Sequence, residues 1–479
     1  MYKQAFNPYL PSYEYVPDGE PHVFGERIYV YGSHDKFNGN AFCMEDYVCW
    51  SAPLCNLEEW RYEGVIYRKT DDLHIPNPQT RRLFAPDVQQ GIDGRFYLYY
   101  SFDFSGMIGV AVCDKPAGKY TYYGYVHYKD GTILGEREDD KFHYDPGVLA
   151  DNGEIYLYTG FCPPQEKRNK FDLPKPVAEG AMVTELETDM ITIKKKPSIV
   201  VPNFANATGT FFEGHAFFEG PSIRKIDNTY YLIYSSEHGH ELCYATSDKA
   251  NEAFVYGGTI VSNGDIYYKG RKKPLNYTGT NHGSIEKIDN QWYVFYHRQT
   301  NGNPYSRQGC AEKIEVMSDG AIKQVEMTSC GLNKGALLGK GRYSAGIACC
   351  LFGKKGAKAY EVKKQISKEH PYLTQEDGED KEGPKQYIAN MCDGAVAGFK
   401  YFNIEKLSTI SMKMRGNGNG EIQILTDISQ SPVASIQTVE VDEWITISAE
   451  VEVKLKGEVA LWFCYTGTGY VDFSEFVLK

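Results

Sequence analysis

The chain has 479 residues, and its 51 Lys+Arg against 63 Asp+Glu leave a net charge of −12. That balance argues against a nucleic-acid partner, because phosphate backbones are met by basic patches. No run of 18 apolar residues occurs, and the opening MYKQAFNPYLPSYEY lacks an apolar signal core; neither a membrane span nor secretion is expected, and the expected location is the cytoplasm. The 12 Cys are scattered without a CxxC, and Cys349 and Cys350 are adjacent. This suits neither an ordinary disulfide nor a zinc cage, so buried, reduced thiols are expected. The 38 Tyr, 24 Phe and 5 Trp fit two readings, a Tyr-rich β core and rings that stack on sugars.

In chain order, five segments share one pattern. They begin PDGEPHVFGERIYVYGS at Pro17, APDVQQGIDGRFYLYYS at Ala85, YDPGVLADNGEIYLYTG at Tyr144, FEGPSIRKIDNTYYLIYSS at Phe218 and NHGSIEKIDNQWYVFYHR at Asn281. Each opens on a polar residue beside Pro or Gly: Asp18, Asp87, Asp145, Glu219 and His282. A short strand is expected next, then a turn at Gly25-Glu26, Asp93-Gly94, Asn152-Gly153, Asp227-Asn228 or Asp289-Asn290. Such pairs accept the positive φ of tight hairpins. A second strand then alternates around Tyr29, Tyr97, Tyr156, Tyr231 or Tyr293.

The openers stand 69, 58, 74 and 63 residues apart, which leaves room for a four-stranded sheet in each repeat. Sheets repeated radially form a β-propeller, which limits exposed edges. The fold class expected is all-β, with a five-bladed β-propeller over residues 1–328 followed by a β-sandwich over 329–479. Equivalent positions on successive blades form a ring, so the five openers converge on a central pocket. A single Asp beside Pro or Gly is a turn former. Four acids and a histidine at one repeat position instead suggest a site with shifted pKa values or a cation.

These segments resemble family 43 glycoside hydrolases. The matching pieces are NPYLPSYEYVPDGEP, the AP-D of the second repeat, DPGV of the third, EGPSI of the fourth, and H-G-S with FYHR of the fifth. The resemblance spans roughly residues 5–325 and implies hydrolysis of glycosidic bonds with inversion. It implies Asp18 as the general base that activates water and Glu219 as the general acid. Asp145 would raise the acid's pKa and orient it. Inversion needs two carboxyls with space for water between them, one of them protonated near neutral pH. Glu20 and Glu213 are rivals by proximity; Pro21 leaves the face of Glu20 open, and the E-G-P step selects Glu219. His282 resembles an axial histidine that approaches a calcium ion through or beside water, although calcium prefers oxygen ligands. Arg307, in NPYSRQ, resembles an arginine that reaches sugar hydroxyls. Asp87 and Phe84 are candidate sugar contacts by their place in the ring, and His34 and Asp35 candidate rim residues.

After about residue 325 the repeat stops. Cys330 to Gly346 reads as a linker or crossing segment, and EDGEDKEGPK from Glu376 as a charged loop. STISMKMRG, GEIQILTDI, EWITISAEVEV and EVALWFCYTG alternate like strands. The ending GTGYVDFSEFVLK resembles the final strand of family 6 carbohydrate-binding modules, which are jelly rolls. Trp444, Trp462 and Tyr465 carry no assignment.

The reading that follows is an exo-acting β-xylosidase working on small oligosaccharides, with α-L-arabinofuranosidase as the alternative. Endo-arabinanase is disfavoured, as is a non-catalytic carbohydrate-binding propeller, because all three carboxyls are present. A homo-oligomer is compatible with the residues, since an accessory sandwich would be able to close a neighbour's pocket.

Overall fold

A computed structural model describes residues 4–164, 171–357, 369–376 and 385–479. Most of the charged segment expected after Glu376 lies outside the described residues. The ordered structure is almost entirely β, because Tyr-, Val- and Ile-rich alternating runs are broken every few residues by Gly, Asn or Asp. Four antiparallel four-stranded meanders follow one another. The first comprises Glu20–Phe24, Arg27–Tyr31, Tyr47–Pro53 and Arg61–Tyr67. The second comprises Leu83–Gln90, Phe96–Phe102, Ile108–Cys113 and Thr121–Tyr125. Gly147–Asp151, Glu154–Thr159, Gly180–Leu186 and Ile193–Pro202 form the third. Phe217–Ile226, Thr229–Ser236, Glu241–Ser247 and Val255–Ser262 form the fourth.

The first hairpin of each repeat turns where the sequence places it. Positive φ occurs at Gly25, Gly94, Asn152, Gly153, Asp227 and Asp289, the conformation these residue types tolerate. The fifth sheet departs from the pattern. It has three strands, Ile285–Ile288, Gln291–Gln299 and Arg307–Ile314. The N-terminal segment bonds to its last strand: Tyr9 N–H donates to Gly309 O at 3.2 Å. The Asn7 side chain bonds both N and O of Ala311 at 2.9 Å, as a backbone partner would.

The first strands of the five sheets lie one against the next, and the first meets the fifth through a Gly19–Gly283 bridge. Between the fourth and fifth, Ser222 Oγ and Ser284 Oγ are 2.6 Å apart. The five sheets thus close into a ring around their first strands. Apolar side chains fill the seams between neighbouring sheets, as in the cluster of Tyr97, Tyr99, Val110, Val148, Ile155 and Leu157.

The last third forms two six-stranded sheets around one core that includes Phe399, Phe402, Phe463, Phe473 and Phe476. It is sandwich-like. The expected linker is partly strand: Leu337–Leu338 and Gly341–Ser344 pair into the two sheets. Leu337 and Tyr343 are buried there, so their apolar side chains override the Gly-rich composition. This body is bonded firmly to the ring. Buried Arg298 donates to Gly346 O at 2.7 Å and Ala348 O at 2.8 Å, and buried Lys400 pairs with Asp265 and Glu326, both at 2.9 Å. Trp462 joins an apolar cluster that also contains Tyr231, Ile233 and Tyr244 of the fourth sheet. Tyr465 is buried, and Trp444 stacks on Arg415 at 4.4 Å. No helix among the described residues is long and apolar enough to cross a membrane.

Candidate active site

A pocket of about 140 Å³ opens at the ends of the first strands. Asp18, Asp145, Glu219, His282, Arg307 and Phe84 all line it. Its volume is well below the roughly 300–1,000 Å³ of drug-sized ligand sites, which suits one small ring. The remaining wall is aromatic: Phe42, Phe104, Tyr144, Phe161, Phe171 and Phe218, with Thr280. Phe104 and Tyr144 stack at 5.4 Å, and Phe161 meets Phe218 at 5.7 Å.

The carboxyls are presented by irregular backbone. Asp18 and Asp145, at equivalent repeat positions, both have positive φ, 56° and 46°. Non-glycine residues held there are uncommon and cluster at functional sites. Glu219 sits where the register between Phe217–Ile226 and Thr229–Ser236 shifts, and it bridges to Phe161. Gly220, at φ +65°, follows it; a Cβ there would stand 2.8 Å from the His282 ring. Only glycine lets the strand pass over that histidine.

Arg307 is the central cation. Its Nη1 donates to Asp18 Oδ1 at 2.8 Å, while Nε and Nη2 hold Asp35 at 2.8 and 3.0 Å. The Phe42 ring lies 4.8 Å from its guanidinium carbon. Burial pushes the Asp18 carboxyl up, but Arg307, His297 and His282 outweigh it and hold Asp18 below the ordinary carboxylate range. Asp145 goes the other way. Burial, then the charges of Glu219 and Asp18, raise it well above that range. The site therefore sets a carboxyl of lowered pKa, Asp18, in one pocket with a buried carboxyl of raised pKa, Asp145, a separation that acid–base chemistry can use.

Three expected contacts lie elsewhere. Asp87 is fully buried and does not line the pocket; it accepts from Val148 N–H at 2.7 Å and bonds His22 at 2.6 Å, tying the second sheet to the third and first. His34 points to Glu14 and to Asp46 O, both at 2.9 Å. Asp35 is the buried partner of Arg307 and not a rim residue. Of the rivals, Glu213 is exposed and bonds Gly209 N–H. Glu20 does not line the pocket; its Oε2 accepts from Ser222 and Arg224 at 2.9 and 3.1 Å.

Glu20 bears on the metal question. Its Oε1 is buried without a hydrogen-bond partner, 4.0 Å from His282 Nε2, and burial with Asp87 nearby pushes its carboxyl up to about 8. An orphaned carboxylate oxygen facing an imidazole fits a hard cation held mainly by water.

Residues 15–322 match the family described as Glycosyl hydrolases family 43. Over its whole length the chain is 51% identical to a xylosidase/arabinosidase of Thermoclostridium stercorarium, covering 99% of that protein. The chain belongs to glycosyl hydrolase family 43. It is also 29% identical to a xylosidase/arabinosidase of Bacteroides ovatus, over 66% of this chain and 97% of that one. Among solved structures, a family 43 enzyme from Xanthomonas citri complexed with xylose is similar at 27% identity and a TM-score of 0.52, covering 67% of this chain and 94% of that one. A family 43 arabinoxylan arabinofuranohydrolase from Bacillus subtilis shares the fold over 99% of this chain and 97% of its own, at 19% identity and a TM-score of 0.52.

The aromatic wall of this family 43 pocket was not picked out from the sequence, except for Phe84. Tyr144 and Phe218 each stand immediately before a predicted carboxyl, which is a usable signal. Phe42, Phe104 and Phe171 sit in connections with no repeat position to mark them.

Proposed function

We propose that this chain is an inverting, exo-acting glycosidase that releases xylose from β-xylosides and xylo-oligosaccharides, built on a five-bladed β-propeller. The carrying observation is that Asp18, Asp145, Glu219 and Arg307 meet in one small aromatic-walled pocket. Asp18, kept ionised by Arg307, takes a proton from water, and that water attacks the anomeric carbon. Glu219 gives its proton to the leaving oxygen on the opposite face. Asp145 keeps that proton in place. Arg307 and the aromatic rings hold the sugar, and the small volume favours one terminal unit. The names of the relatives support a second reading, α-L-arabinofuranosidase activity in the same pocket.

Hydrolysis of aryl β-D-xylopyranoside against aryl α-L-arabinofuranoside, with product anomers followed by NMR, tests this. Xyloside turnover with inversion supports the proposal, and an arabinofuranoside preference transfers it to the second reading. Retention of configuration would exclude the water-activating role of Asp18.

The alkaline limb of the kcat–pH profile reports the proton of the Asp145–Glu219 pair. Activity is present while that proton is held and is lost as pH rises through the pair's raised pKa. In Asp145→Asn the neighbouring negative charge is gone, so Glu219 releases its proton at lower pH. The limb is expected to move down and kcat to fall. An unmoved limb would assign the proton elsewhere.

Glu20 and His282 are the residues that would hold a calcium ion. It would neutralise the buried Glu20 carboxylate and fix His282, whose Nδ1 lies 4.0 Å from Asp18 Oδ1. Chelation is expected to lower the rate several-fold, and added calcium to restore it. An unchanged rate in chelator, with no calcium by elemental analysis, would remove the ion from the account.

A further inference from the structure

We propose that the edge of the fourth sheet carries a second sugar-binding site, for the leaving-group end of an oligosaccharide, built on Tyr267 and the imidazoles of His215, His238 and His240. It rests on the reading that Glu219 protonates a glycosidic oxygen, and it says where the rest of that leaving group lies.

The placement follows from register. Glu219 pairs with Ser235, Ser235 with Leu242, and Leu242 with Val261. These four residues form a row across the sheet near one edge. The connections that leave this edge carry His215, then His238 and His240, then Tyr267. Strands lie about 4.8 Å apart, so the connection of His238 and His240 lies about 5–10 Å from the strand of Glu219 and that of Tyr267, three strands across, about 14 Å, the reach of an oligosaccharide extending past its terminal unit. The site adjoins the pocket directly. His240 O accepts from Asn281 Nδ2 at 3.2 Å, and Asn281 lies between the pocket residues Thr280 and His282.

Tyr267 is the centre of the group. The rings of His215, His238 and His240 lie 6.3, 6.4 and 6.1 Å from it. Tyr267 is 44% exposed and has a φ of 71°, a genuine outlier for a bulky side chain. It is held there by firm anchors. Its N–H donates to Arg271 O at 2.7 Å. Two residues earlier, buried Asp265 accepts from Met327 N–H at 2.6 Å and pairs with Lys400. Strained residues held by buried anchors cluster at functional sites.

The imidazoles are oriented as well. Glu241 fixes His215 through Nδ1 at 2.7 Å, and Ser262 engages His240 Nδ1 at 3.0 Å, which leaves Nε2 of each for a ligand. Glu241 also accepts from Ser236 and Thr259, at 2.6 and 2.9 Å; it serves as a holder of His215, which disfavours reading His215, Glu241 and Cys243 as a metal cage. An aromatic face flanked by imidazole nitrogens suits a sugar, whose C–H face stacks and whose hydroxyls accept and donate.

The test compares kcat/KM for xylotriose with that for 4-nitrophenyl β-D-xylopyranoside on the full chain. In Tyr267→Ala and His238→Ala, the xylotriose-to-aryl-xyloside ratio is expected to fall about tenfold, the worth of one stacking contact. Tyr267→Phe, which keeps the ring, should stay near the wild-type ratio. An unchanged ratio in Tyr267→Ala, or equal losses on both substrates, would overturn the site. Calorimetric titration of Glu219→Gln protein with xylotriose and xylose separates this from failure of the activity itself. Loss of xylotriose affinity in Tyr267→Ala supports the site whichever glycoside is cleaved, and xylotriose binding no tighter than xylose overturns it.

Discussion

Asp18→Asn is expected to lower kcat by about 10²–10⁴-fold on every substrate, the range that a positioned general base supplies. Glu219→Gln should lose as much on xylobiose but far less on an aryl glycoside whose leaving group departs without a proton. The contrast separates base from acid. Neither variant should disturb the fold. Asn at position 18 still offers an oxygen to Arg307, whose charge keeps Asp35 as partner at 2.8 Å; Glu219 is only half-buried. Steady-state kinetics on both substrates, with circular dichroism as the folding control, makes the measurement. Normal rates in Asp18→Asn would move the base to another carboxyl, and an equal loss on both substrates in Glu219→Gln would deny it the acid role.

Arg307→Met is expected to cost about 3–5 kcal/mol of stability, the penalty for breaking a buried ion pair from one side. The reason is specific to this geometry. Asp35 is fully buried, and burial already pushes its carboxyl up against the opposing pull of Arg307. Without the guanidinium an uncompensated anion remains. Asp18 also loses its strongest stabilising charge, so the acid limb of the pH profile should move to higher pH. The double variant Asp35→Asn/Arg307→Met should recover part of the stability, because the buried anion is then gone. Urea denaturation measures both. A loss below about 1 kcal/mol in the single variant would put the triad in solvent, like a surface pair.

The carboxyls at the site were legible because the repeat is regular there. Asp18, Asp145 and Glu219 each begin a segment whose hairpin turn follows seven or eight residues later, and each reaches the pocket. Asp87 precedes its turn by six residues and does not. In the second sheet the strand starts at Leu83, and the register shifts between Phe84 and Asp87. The bulge moves the opener deeper into the sheet and gives its place at the pocket to Phe84. A one-dimensional offset cannot register a bulge, since the extra residue alters which side chain faces where. Asp35 was placed at the rim because it follows a strand. Its true role depends on Arg307, 272 positions away, a pairing with no local signal. The three-stranded fifth sheet was hidden for a related reason. The segment bonded to its last strand comes from the opposite end of the chain and enters partly through the Asn7 side chain.

The buried Arg298 has a consequence for how this gene can be recombined. Its guanidinium sits in the ring of five sheets and bonds Gln308 Oε1 there at 2.9 Å, yet its carbonyl acceptors Gly346 O and Ala348 O come from the last third. Lys400 makes the reciprocal arrangement, a cation of the last third neutralised by Asp265 and Glu326. Each half thus carries a charge whose complement is inherited with the other. Exchanging one half of this chain is therefore expected to lower stability unless the incoming piece brings acceptors for that arginine and an ammonium for those acids.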